Sequence, residues 1–231
     1  MPIFFDHTIT TEYAVHTLNE EESKHAVKVL RLTDGNSIHI INGQGYLFRC
    51  EIIQASAKAC QLKVIEKEFQ EPSKNHIHIA LAPTKNIDRI EWLIEKAVEI
   101  GIQEISFIQT KNSERKQLKL DRLHKIMVSA MKQSKQFHAT KLNDIVLFDS
   151  FIENHPKGLI AHCLPTEKNT ITDAFQSKLP IIIGPEGDFN PTEIDFALQH
   201  GYIPITLGES RLRTETAALY AVIEANLTLR T

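Results

Sequence analysis

The chain has 231 residues, of which 42% are hydrophobic and 24% are charged, and its formal net charge is −3. This composition is typical of a globular protein and argues against a disordered or fibrous chain. No apolar run approaches the roughly 20 residues that a membrane-spanning helix needs.

Three cysteines, Cys50, Cys60 and Cys163, form neither a CxxC pair nor a spacing typical of metal sites. An odd number of scattered cysteines indicates a reducing compartment, so we expect a cytoplasmic protein without a bound metal. The first residues lack the basic and then apolar pattern of a signal peptide. The length fits one large domain or two smaller ones.

Residues 1–70 carry the pattern of a small all-β domain. One helix is predicted at Glu20–Val29, with Asn19 as its N-cap. Short runs rich in β-branched and aromatic residues predict strands at Ser37–Ile41, Tyr46–Ile53 and Ala59–Ile65. Several short strands with little helix indicate a small β-barrel. The polar stretch that follows, 70–75, has the composition of a linker.

From residue 76 onward strands and helices alternate, which predicts an α/β domain with a mostly parallel sheet. Apolar residues at helical spacing between Ile90 and Val98 predict one helix, which ends at Gly101. A second helix follows Asp121, with basic residues on the side opposite to its apolar residues. Strands are predicted at His76–Leu81, Glu104–Ile108, Ile145–Phe148, Leu159–His162, Ile181–Ile183 and Ile203–Leu207.

The last two helices have recognisable start signals. The first of them begins with a predicted capping box, formed by Asn190 as N-cap and Glu193 at the third helical position. Pro191 occupies its first helical position, and Gly201 lies beyond its end. Thr214 is predicted to cap the final helix.

The small net charge conceals a strongly basic segment. Residues 111–141 contain nine Lys or Arg against two acids, which gives this segment a charge of +7. Such asymmetry favours a polyanionic partner, whereas the alternative is a solvated helix face.

Two strand–loop–helix units near the C-terminus each carry a glycine where the strand ends. The first loop is Gly184–Gly187, and the second begins at Gly208. Glycine at such an exit lets a ligand approach the backbone, and open α/β sheets bind ligands at the carboxyl ends of their strands. The two loops are therefore predicted to form two walls of one pocket. A simple tight turn is the alternative for the first loop.

The chemistry of the first loop argues against a phosphate ligand. Pro185 has no N–H group, and Glu186 and Asp188 add negative charge. Neither GxGxxG nor GxxxxGK[ST] occurs in the chain, which argues against NAD and nucleoside triphosphates. A neutral or cationic ligand that carries an adenine suits this loop better.

In the second loop, an arginine stands just before a helix start, where the helix dipole disfavours it. Arg213 is therefore either paired with Glu209 or Glu215, or it is held in a pocket to meet developing negative charge.

The segments IIIGPEGDFNPTEI and LGESRLRTETAAL together resemble the RsmE family of 16S ribosomal RNA methyltransferases, in the SPOUT superfamily. HAVKVLRLTDGNSIHIINGQGYLFRCEI and KNIDRIEWLIEKAVEIGI extend the resemblance over essentially the whole chain. The resemblance implies a PUA-like β-barrel that binds RNA at residues 1–70. It also implies a SPOUT methyltransferase domain with a C-terminal trefoil knot at residues 74–231.

Members of this family use S-adenosylmethionine (SAM) to methylate N3 of a decoding-region uridine, uridine 1498 in the standard numbering. The resemblance therefore implies a cytoplasmic homodimer that acts on 16S ribosomal RNA, within the small ribosomal subunit, with its active site near the subunit interface.

The resemblance also assigns site residues. It places the cofactor at the strand end 162–165 and at the two loops, specifically at Leu164, Pro165, Ile183, Gly184, Glu186, Gly187, Leu207, Gly208, Ser210, Leu212 and Arg213. It places RNA at Lys24, His25, Lys28 and Arg31, and at part of the basic segment, namely Arg115, Lys116, Lys132 and Lys135.

Uridine N3 carries a proton at neutral pH, so methylation needs either a base or a cation that stabilises the deprotonated uracil. Arg213 cannot act as a base, but it could stabilise the anionic uracil. Glu215 is the second catalytic candidate, with a structural role near the helix start as the alternative. The target base should be unpaired or flipped.

Three departures from the family pattern stand out. Pro2 and Ile3 stand where the family is often basic, Asp188 follows Gly187 where a second glycine is common, and residues 132–136 lack the acid and the arginine of an EQSGR-like stretch.

The alternatives are a SPOUT enzyme that modifies another nucleotide and a catalytically silent RNA-binding assembly factor. A small-molecule α/β enzyme would leave the barrel and the basic segment unexplained.

Overall fold

The computed structural model describes residues 1–230. The chain divides into two compact units. The N-terminal unit consists of Met1–Ser73 together with Val128–Ala139, and the C-terminal unit consists of Lys74–Met127 with the chain from Thr140 onward. A segment from the middle of the sequence therefore belongs to the N-terminal unit.

The N-terminal unit is built on a five-stranded sheet in the order β1-β3-β4-β5-β2. β1 pairs with β3 in parallel, and the other neighbours are antiparallel. Its core is a cluster of fully buried apolar side chains that includes Phe4, Ile38, Phe48 and Leu62. The elements are β1 Ile3–Phe5, β2 Val15–Thr17, α1 Glu20–Lys24, β3 Ser37–Ile41, β4 Tyr46–Gln54 and β5 Gln61–Phe69.

The predicted helix of this unit is confirmed in position but changes type halfway. Asn19 caps α1 as predicted, because its side chain accepts a hydrogen bond of 2.9 Å from the Glu22 amide. From His25 to Val29 the chain forms a π-helical turn, and Arg31 then adopts a left-handed φ of 54°. This wider turn leaves Lys28, Val29 and Leu30 exposed.

A buried polar contact joins the two edges of this sheet. Asp6 follows β1, and its carboxylate lies 3.0 Å from the ring Nε2 of His16 on β2. Burial works to raise the pKa of Asp6, but hydrogen bonds from His16 and Thr8 outweigh it and lower that pKa to about 2. The carboxylate is therefore charged at neutral pH and accepts the hydrogen bond between the edges.

The C-terminal unit confirms the predicted α/β domain, with six strands that are all parallel to their neighbours. Its strands are β6 His78–Leu81, β7 Glu104–Gln109, β8 Lys141–Leu147, β9 Gly158–Ala161, β10 Pro180–Ile183 and β11 Tyr202–Ile205. Its helices are α2 Ile87–Ile100, α3 Leu120–Ser134, α4 Phe148–Asn154, α5 Ile171–Ala174, α6 Pro191–Gln199 and α7 Thr214–Thr228. The residues of α3 from Val128 onward belong to the N-terminal unit.

The strand order β11-β9-β10-β6-β7-β8 is not sequential. The chain runs outward from β6 to β8 and then crosses to the other side of β6. There β10 lies between β9 and β6, although β9 comes earlier in the sequence. This change of direction is a topological switch point, where open α/β sheets bind their ligands.

Two helices match their predictions closely. The buried face of α2 consists of Ile90, Leu93, Ile94, Ala97 and Val98, and Gly101 ends the helix in a left-handed conformation with φ of 96°. In α6 the capping box between Asn190 and Glu193 is present in both directions. Strong local signals were sufficient for both helices.

Two local predictions are wrong. Thr214 does not cap α7, because Arg213 occupies the N-cap position and the Thr214 hydroxyl is directed to a distant carbonyl instead. Phe148 begins α4 rather than ending a strand, because its ring packs in the buried core between the sheet and α6. None of the described helices combines the length and the apolar character needed to cross a lipid bilayer.

Candidate functional site

Three neighbouring parallel strands, β9, β10 and β11, end at the same edge of the sheet. β9 and β10 are buried for most of their length, β11 is buried at its first and last residues, and each strand leads directly into a loop. Because parallel strands bring their carboxyl ends together, the loops after them converge on one place.

The first glycine loop is tightly packed. A Cβ at Gly184 would lie 3.1 Å from the ring of Phe189 and 3.2 Å from its backbone nitrogen, so a larger residue would displace the backbone. The side-chain amide of Asn112 donates to the carbonyls of Gly187, at 3.3 Å, and of Asp188, at 3.0 Å. The loop is therefore held in a single conformation from both sides.

Asp188 ties this loop to the end of β9. Its carboxylate accepts a hydrogen bond of 2.8 Å from the Cys163 amide, and its own φ of 64° is left-handed. Burial and the negative charge of Asp188 both raise the pKa of the Cys163 thiol. The acid that departs from the family pattern thus has a structural role, and Cys163 stays protonated at neutral pH.

The second loop is joined directly to the first. Gly208 has a φ of 103°, a conformation that side chains disfavour. At the end of this loop the Thr214 hydroxyl donates a buried hydrogen bond of 3.1 Å to the Gly184 carbonyl. The prediction of two loops that form two walls of one pocket is confirmed.

The pocket between the loops is a cavity of about 630 Å³. Eight of the residues predicted to bind the cofactor line it: Ile183, Gly184, Glu186, Leu207, Gly208, Ser210, Leu212 and Arg213. Three others lie outside its lining. Leu164 packs against the core, Pro165 is exposed, and Gly187 faces Asn112.

The lining carries opposite charges in equal number. Three cationic side chains, Lys168, Arg211 and Arg213, are matched by three acidic ones, Glu186, Asp188 and Glu209. A balanced lining suits a ligand that itself carries both charges, and it argues against a polyphosphate. Within residues 1–230, no group of three or more His, Cys, Asp or Glu could hold a metal ion.

His162, at the end of β9, contributes a buried polar atom without a partner. It is 7% exposed, and its ring Nδ1 has no hydrogen-bond partner among the described residues. Burial lowers the pKa of His162, and the nearby Lys168 acts in the same direction. The ring is therefore neutral and lines the cavity with an unused hydrogen-bonding group, as expected where a ligand completes the site.

A second cavity, of about 590 Å³, adjoins the first. Both cavities are lined by Arg211, Leu212 and Arg213, which form their common wall. The far side of the second cavity consists of Asp88, Arg89 and Trp92 on α2, with Glu215 and Thr216 on α7. Of the two catalytic candidates, Arg213 lines both cavities, whereas Glu215 lines only the second.

The α2 residues of this second cavity are not predicted as site residues from the sequence, because only the apolar face of the helix gives a clear pattern. One signal was available. Trp92 lies outside the buried face of α2 and is 43% exposed, which is unusual for so large an apolar side chain.

The residues predicted to contact RNA differ in their surroundings. Lys28, Arg31, Lys116 and Lys135 are exposed. Lys24 pairs with Glu20 at 2.6 Å on the surface, and His25 lies 3.5 Å from Glu22 and packs edge-on against Phe4.

Two of these predicted RNA contacts already bind groups within the protein. The Arg115 guanidinium donates to the backbone carbonyls of Thr84, at 3.0 Å, and of Lys85. Lys132 forms an ion pair of 3.0 Å with the buried Glu22. Both side chains therefore have a structural role that the charge pattern did not reveal.

Comparison with known families matches both parts of the chain. Residues 71–225 match the family described as RNA methyltransferase domain, and residues 18–65 match the RNA methyltransferase PUA domain. A protein of Mesomycoplasma hyopneumoniae named ribosomal RNA small subunit methyltransferase E is 34% identical over 203 residues, which cover 84% of this chain and 86% of that protein. Its namesake in Bacillus subtilis is 28% identical over 231 residues, with 91% and 89% covered.

Solved structures agree over almost the full length. A probable rRNA-methyltransferase from Porphyromonas gingivalis superposes with a TM-score of 0.89 at 36% identity, covering 99% of this chain and 98% of that one. A Legionella pneumophila protein solved in complex with the bound cofactor SAM has a TM-score of 0.87 at 27% identity, with 97% and 96% covered.

Proposed function

This chain belongs to the ribosomal RNA small subunit methyltransferase E family, and we propose that it methylates N3 of a decoding-region uridine in 16S ribosomal RNA (uridine 1498 in the standard numbering). The observation that carries the proposal is the common wall between the two cavities. Arg213 borders the cavity that fits a cofactor and a second cavity that is open to another ligand. A transfer reaction needs two such sites side by side.

The cofactor is S-adenosylmethionine, and the residues of the first cavity fit it. SAM carries a positive sulfonium, an amino group and a carboxylate, and the lining offers three acids and three cations. The unpartnered Nδ1 of His162 and the backbone beside Gly184 and Gly208 supply hydrogen-bonding groups for its polar parts. When bound, SAM supplies an electrophilic methyl group, whose bonding electron pair stays on the sulfur.

The residues of this chain then have to prepare the uridine. The proton on N3 must leave as the new N–C bond forms. Two carboxylates line the second cavity, and we assign the acceptor role to Glu215 because it is buried, whereas Asp88 is exposed. Arg213 stays charged at any physiological pH and stabilises the negative charge that spreads over the uracil oxygens. The alternative pairing of Arg213 with Glu215 receives no support, since the ion-pair partner of Glu215 is Arg89.

Residues 1–70 form the proposed RNA-binding domain and residues 74–231 the proposed methyltransferase domain. In the first, Lys24, His25, Lys28 and Arg31 are the proposed RNA contacts, and the exposure of Lys28 and Arg31 supports this role. The exposed Lys116 and Lys135 extend the surface. Arg115 and Lys132 contribute positive charge while holding their neighbours in place.

The family resemblance also supports a trefoil knot formed by the segments around the cofactor cavity, a homodimer with its active site near the subunit interface, and action in the cytoplasm on the small ribosomal subunit. The strand order is compatible with the knot, because β10 lies between two strands that precede it in the sequence. Knots are rare enough that local sequence patterns do not predict them.

The test is nucleoside mass spectrometry of 16S ribosomal RNA from a strain that lacks this protein. We expect 3-methyluridine to disappear and to return when the wild-type gene is restored, but not when the restored gene carries Arg213→Ala. Persistence of 3-methyluridine would refute the assignment. Loss of a different methylated nucleoside would indicate another SPOUT specificity, and absence of SAM binding in calorimetry would indicate a silent assembly factor.

A further inference from the structure

The second cavity lies where two helices begin. α2 and α7 contact each other and run in the same direction. Near their starts, Arg89 Nε lies 3.6 Å from Glu215 Oε1. Near their ends, the Asn226 side chain donates a hydrogen bond of 3.1 Å to the Ile100 carbonyl. Both N-termini therefore border the cavity of about 590 Å³, and both helix dipoles make it favourable for negative charge.

An aromatic platform borders this cavity. Trp92 is the single tryptophan of the chain, it is 43% exposed, and it lies outside the residues that α2 buries. An exposed indole beside a cavity offers a flat face on which a nucleobase can stack.

A buried acceptor without a donor also lines the cavity. Glu215 is 6% exposed, and its Oε2 has no hydrogen-bond partner among residues 1–230. Leaving a buried carboxylate oxygen unpaired is unfavourable unless a ligand supplies the donor. The helix dipole alone favours an acid in the first turn of α7. It explains neither the unpaired Oε2 of Glu215 nor the exposed Trp92.

We propose that this cavity is the uracil pocket: the target base stacks on Trp92, its N3–H donates to Glu215 Oε2, and the neighbouring arginines meet O2 and O4. The inference rests on the proposed function, because it places the substrate base of that reaction. The arginines are Arg89, Arg211 and Arg213. The last two also line the cofactor cavity, so the base would lie next to the methyl donor.

The arrangement of donors and acceptors explains a preference for uracil. The Watson–Crick edge of uracil reads acceptor, donor, acceptor, which complements a carboxylate flanked by guanidinium groups. Cytosine has an acceptor at N3, which would face the carboxylate, and a donor at N4, which would face a guanidinium. Guanine places an amino donor where uracil has O2. Each mismatch leaves a buried polar group unpaired, so a pocket of this type rejects the wrong base strongly.

The single tryptophan allows a direct measurement of binding. We would titrate the full-length protein with two single-stranded RNA nonamers that differ only in a central uridine or cytidine, and follow tryptophan fluorescence excited at the red edge of its absorption. We expect the uridine RNA to quench Trp92 in a saturable way, with an affinity about tenfold or more above that of the cytidine RNA. Equal quenching by both RNAs, or no quenching despite binding in a filter assay, would overturn the proposal.

Variants separate stacking from hydrogen bonding. Trp92→Phe keeps an aromatic face, whereas Trp92→Leu keeps an apolar side chain without one, and both changes lie outside the buried face of α2. We expect Trp92→Leu to raise the KM for RNA about tenfold, with Trp92→Phe close to wild type. In Glu215→Gln the fluorescence signal remains, and the preference for uridine over cytidine should fall to within a few-fold. Calorimetry should give wild-type SAM affinity for all three, and an unchanged base preference in Glu215→Gln would contradict the pocket.

Failure of the pocket and failure of the proposed function give different results. If the wild type forms 3-methyluridine but Trp92→Leu keeps the wild-type KM and Glu215→Gln keeps the base preference, the pocket lies elsewhere and the function stands. If uridine RNA quenches Trp92 with the expected preference while no 3-methyluridine forms, the pocket stands and the assignment of N3 methylation fails.

Discussion

The two adjoining cavities of the C-terminal unit are built in different ways. The first cavity, the proposed cofactor cavity, is lined by strand ends and by the two loops that follow β10 and β11, which contain Gly184 and Gly208. The second cavity is lined largely by side chains near the starts of α2 and α7. Backbone groups suit a cofactor that is the same molecule in every turnover, whereas side chains can discriminate one base from another.

Each cavity contains one buried polar atom without a partner within the described chain, His162 Nδ1 in the first and Glu215 Oε2 in the second. In the first, Asp188 and Thr214 already hold the loops through hydrogen bonds to Cys163 and Gly184. The loops of the first cavity are therefore fixed in place, and in both cavities a ligand would supply the missing hydrogen-bond partner.

Among the three residues common to both cavities, substitution of Arg213 should have the largest effect. Arg213→Ala should lower single-turnover methyl transfer about 100-fold or more, because the developing uracil anion loses its cation. The SAM dissociation constant measured by calorimetry should change only a few-fold, since two further cations, Lys168 and Arg211, line that cavity. Arg213→Lys keeps the charge without the planar guanidinium, so its rate of methyl transfer should lie between those of wild type and Arg213→Ala. Wild-type turnover in Arg213→Ala would contradict the role of the common wall.

Breaking the bond between the two loops should affect the cofactor cavity selectively. Thr214→Val removes the hydroxyl that donates to the buried Gly184 carbonyl. We expect SAM affinity to fall about tenfold, the result of leaving a buried acceptor unpaired. Thr214→Ser keeps the hydroxyl and serves as the matched control. Quenching of Trp92 by uridine RNA should persist, and a loss of quenching as large as the loss of SAM affinity would show that the cavities are not separable.

The N-terminal unit should influence RNA affinity without altering either cavity. The double variant Lys28→Ala/Arg31→Ala should weaken RNA binding several-fold and reduce the salt slope of log K by about two, since each cation contacts one phosphate. Lys132→Ala is the comparison, because Lys132 pairs with the buried Glu22. Lys132→Ala should weaken RNA binding and should in addition lower the free energy of unfolding of the N-terminal unit. An unchanged salt slope in the double variant would exclude this face as the RNA surface.

A histidine remote from both cavities should affect stability alone. His78 on β6 is 3% exposed, and burial lowers its pKa to about 4. The nearby His155 and His76 also lower this pKa, whereas the negative charge of Glu104 raises it. Below about pH 6.5 the imidazole binds a proton in the unfolded state but remains neutral in the folded state. The free energy of unfolding therefore falls as the pH drops. Between pH 7 and 5 the loss should be about 2 kcal/mol.

Urea denaturation at the two pH values measures this loss. His78→Gln keeps a polar group beside Ser106 and should reduce the loss between the two pH values by about 2 kcal/mol, with unchanged SAM affinity at pH 7. An equal loss of stability in wild type and variant would show that another group is responsible.

Strong local signals allowed much of the fold to be predicted from the sequence. The buried face of α2, its glycine cap and the capping box of α6 depend only on residues within one or two helical turns. By contrast, α5 has four residues, and β1 and β2 have three each. Segments this short contain too few side chains to show a periodicity, so packing by distant residues decides their conformation.

The sequence by itself determined the α/β class, the family resemblance and the convergence of the two glycine loops, because each follows from residues adjacent in the chain. Only the tertiary structure decided how the long-range polar contacts are made. Thr214 bonds Gly184, Lys132 pairs with Glu22, and Arg115 holds the carbonyls of Thr84 and Lys85. The second cavity, which Trp92 lines, arises in the same way, from the parallel packing of α2 and α7. A side chain's partner depends on what the fold brings within hydrogen-bonding distance, and residues this far apart in sequence leave no local pattern that would reveal it.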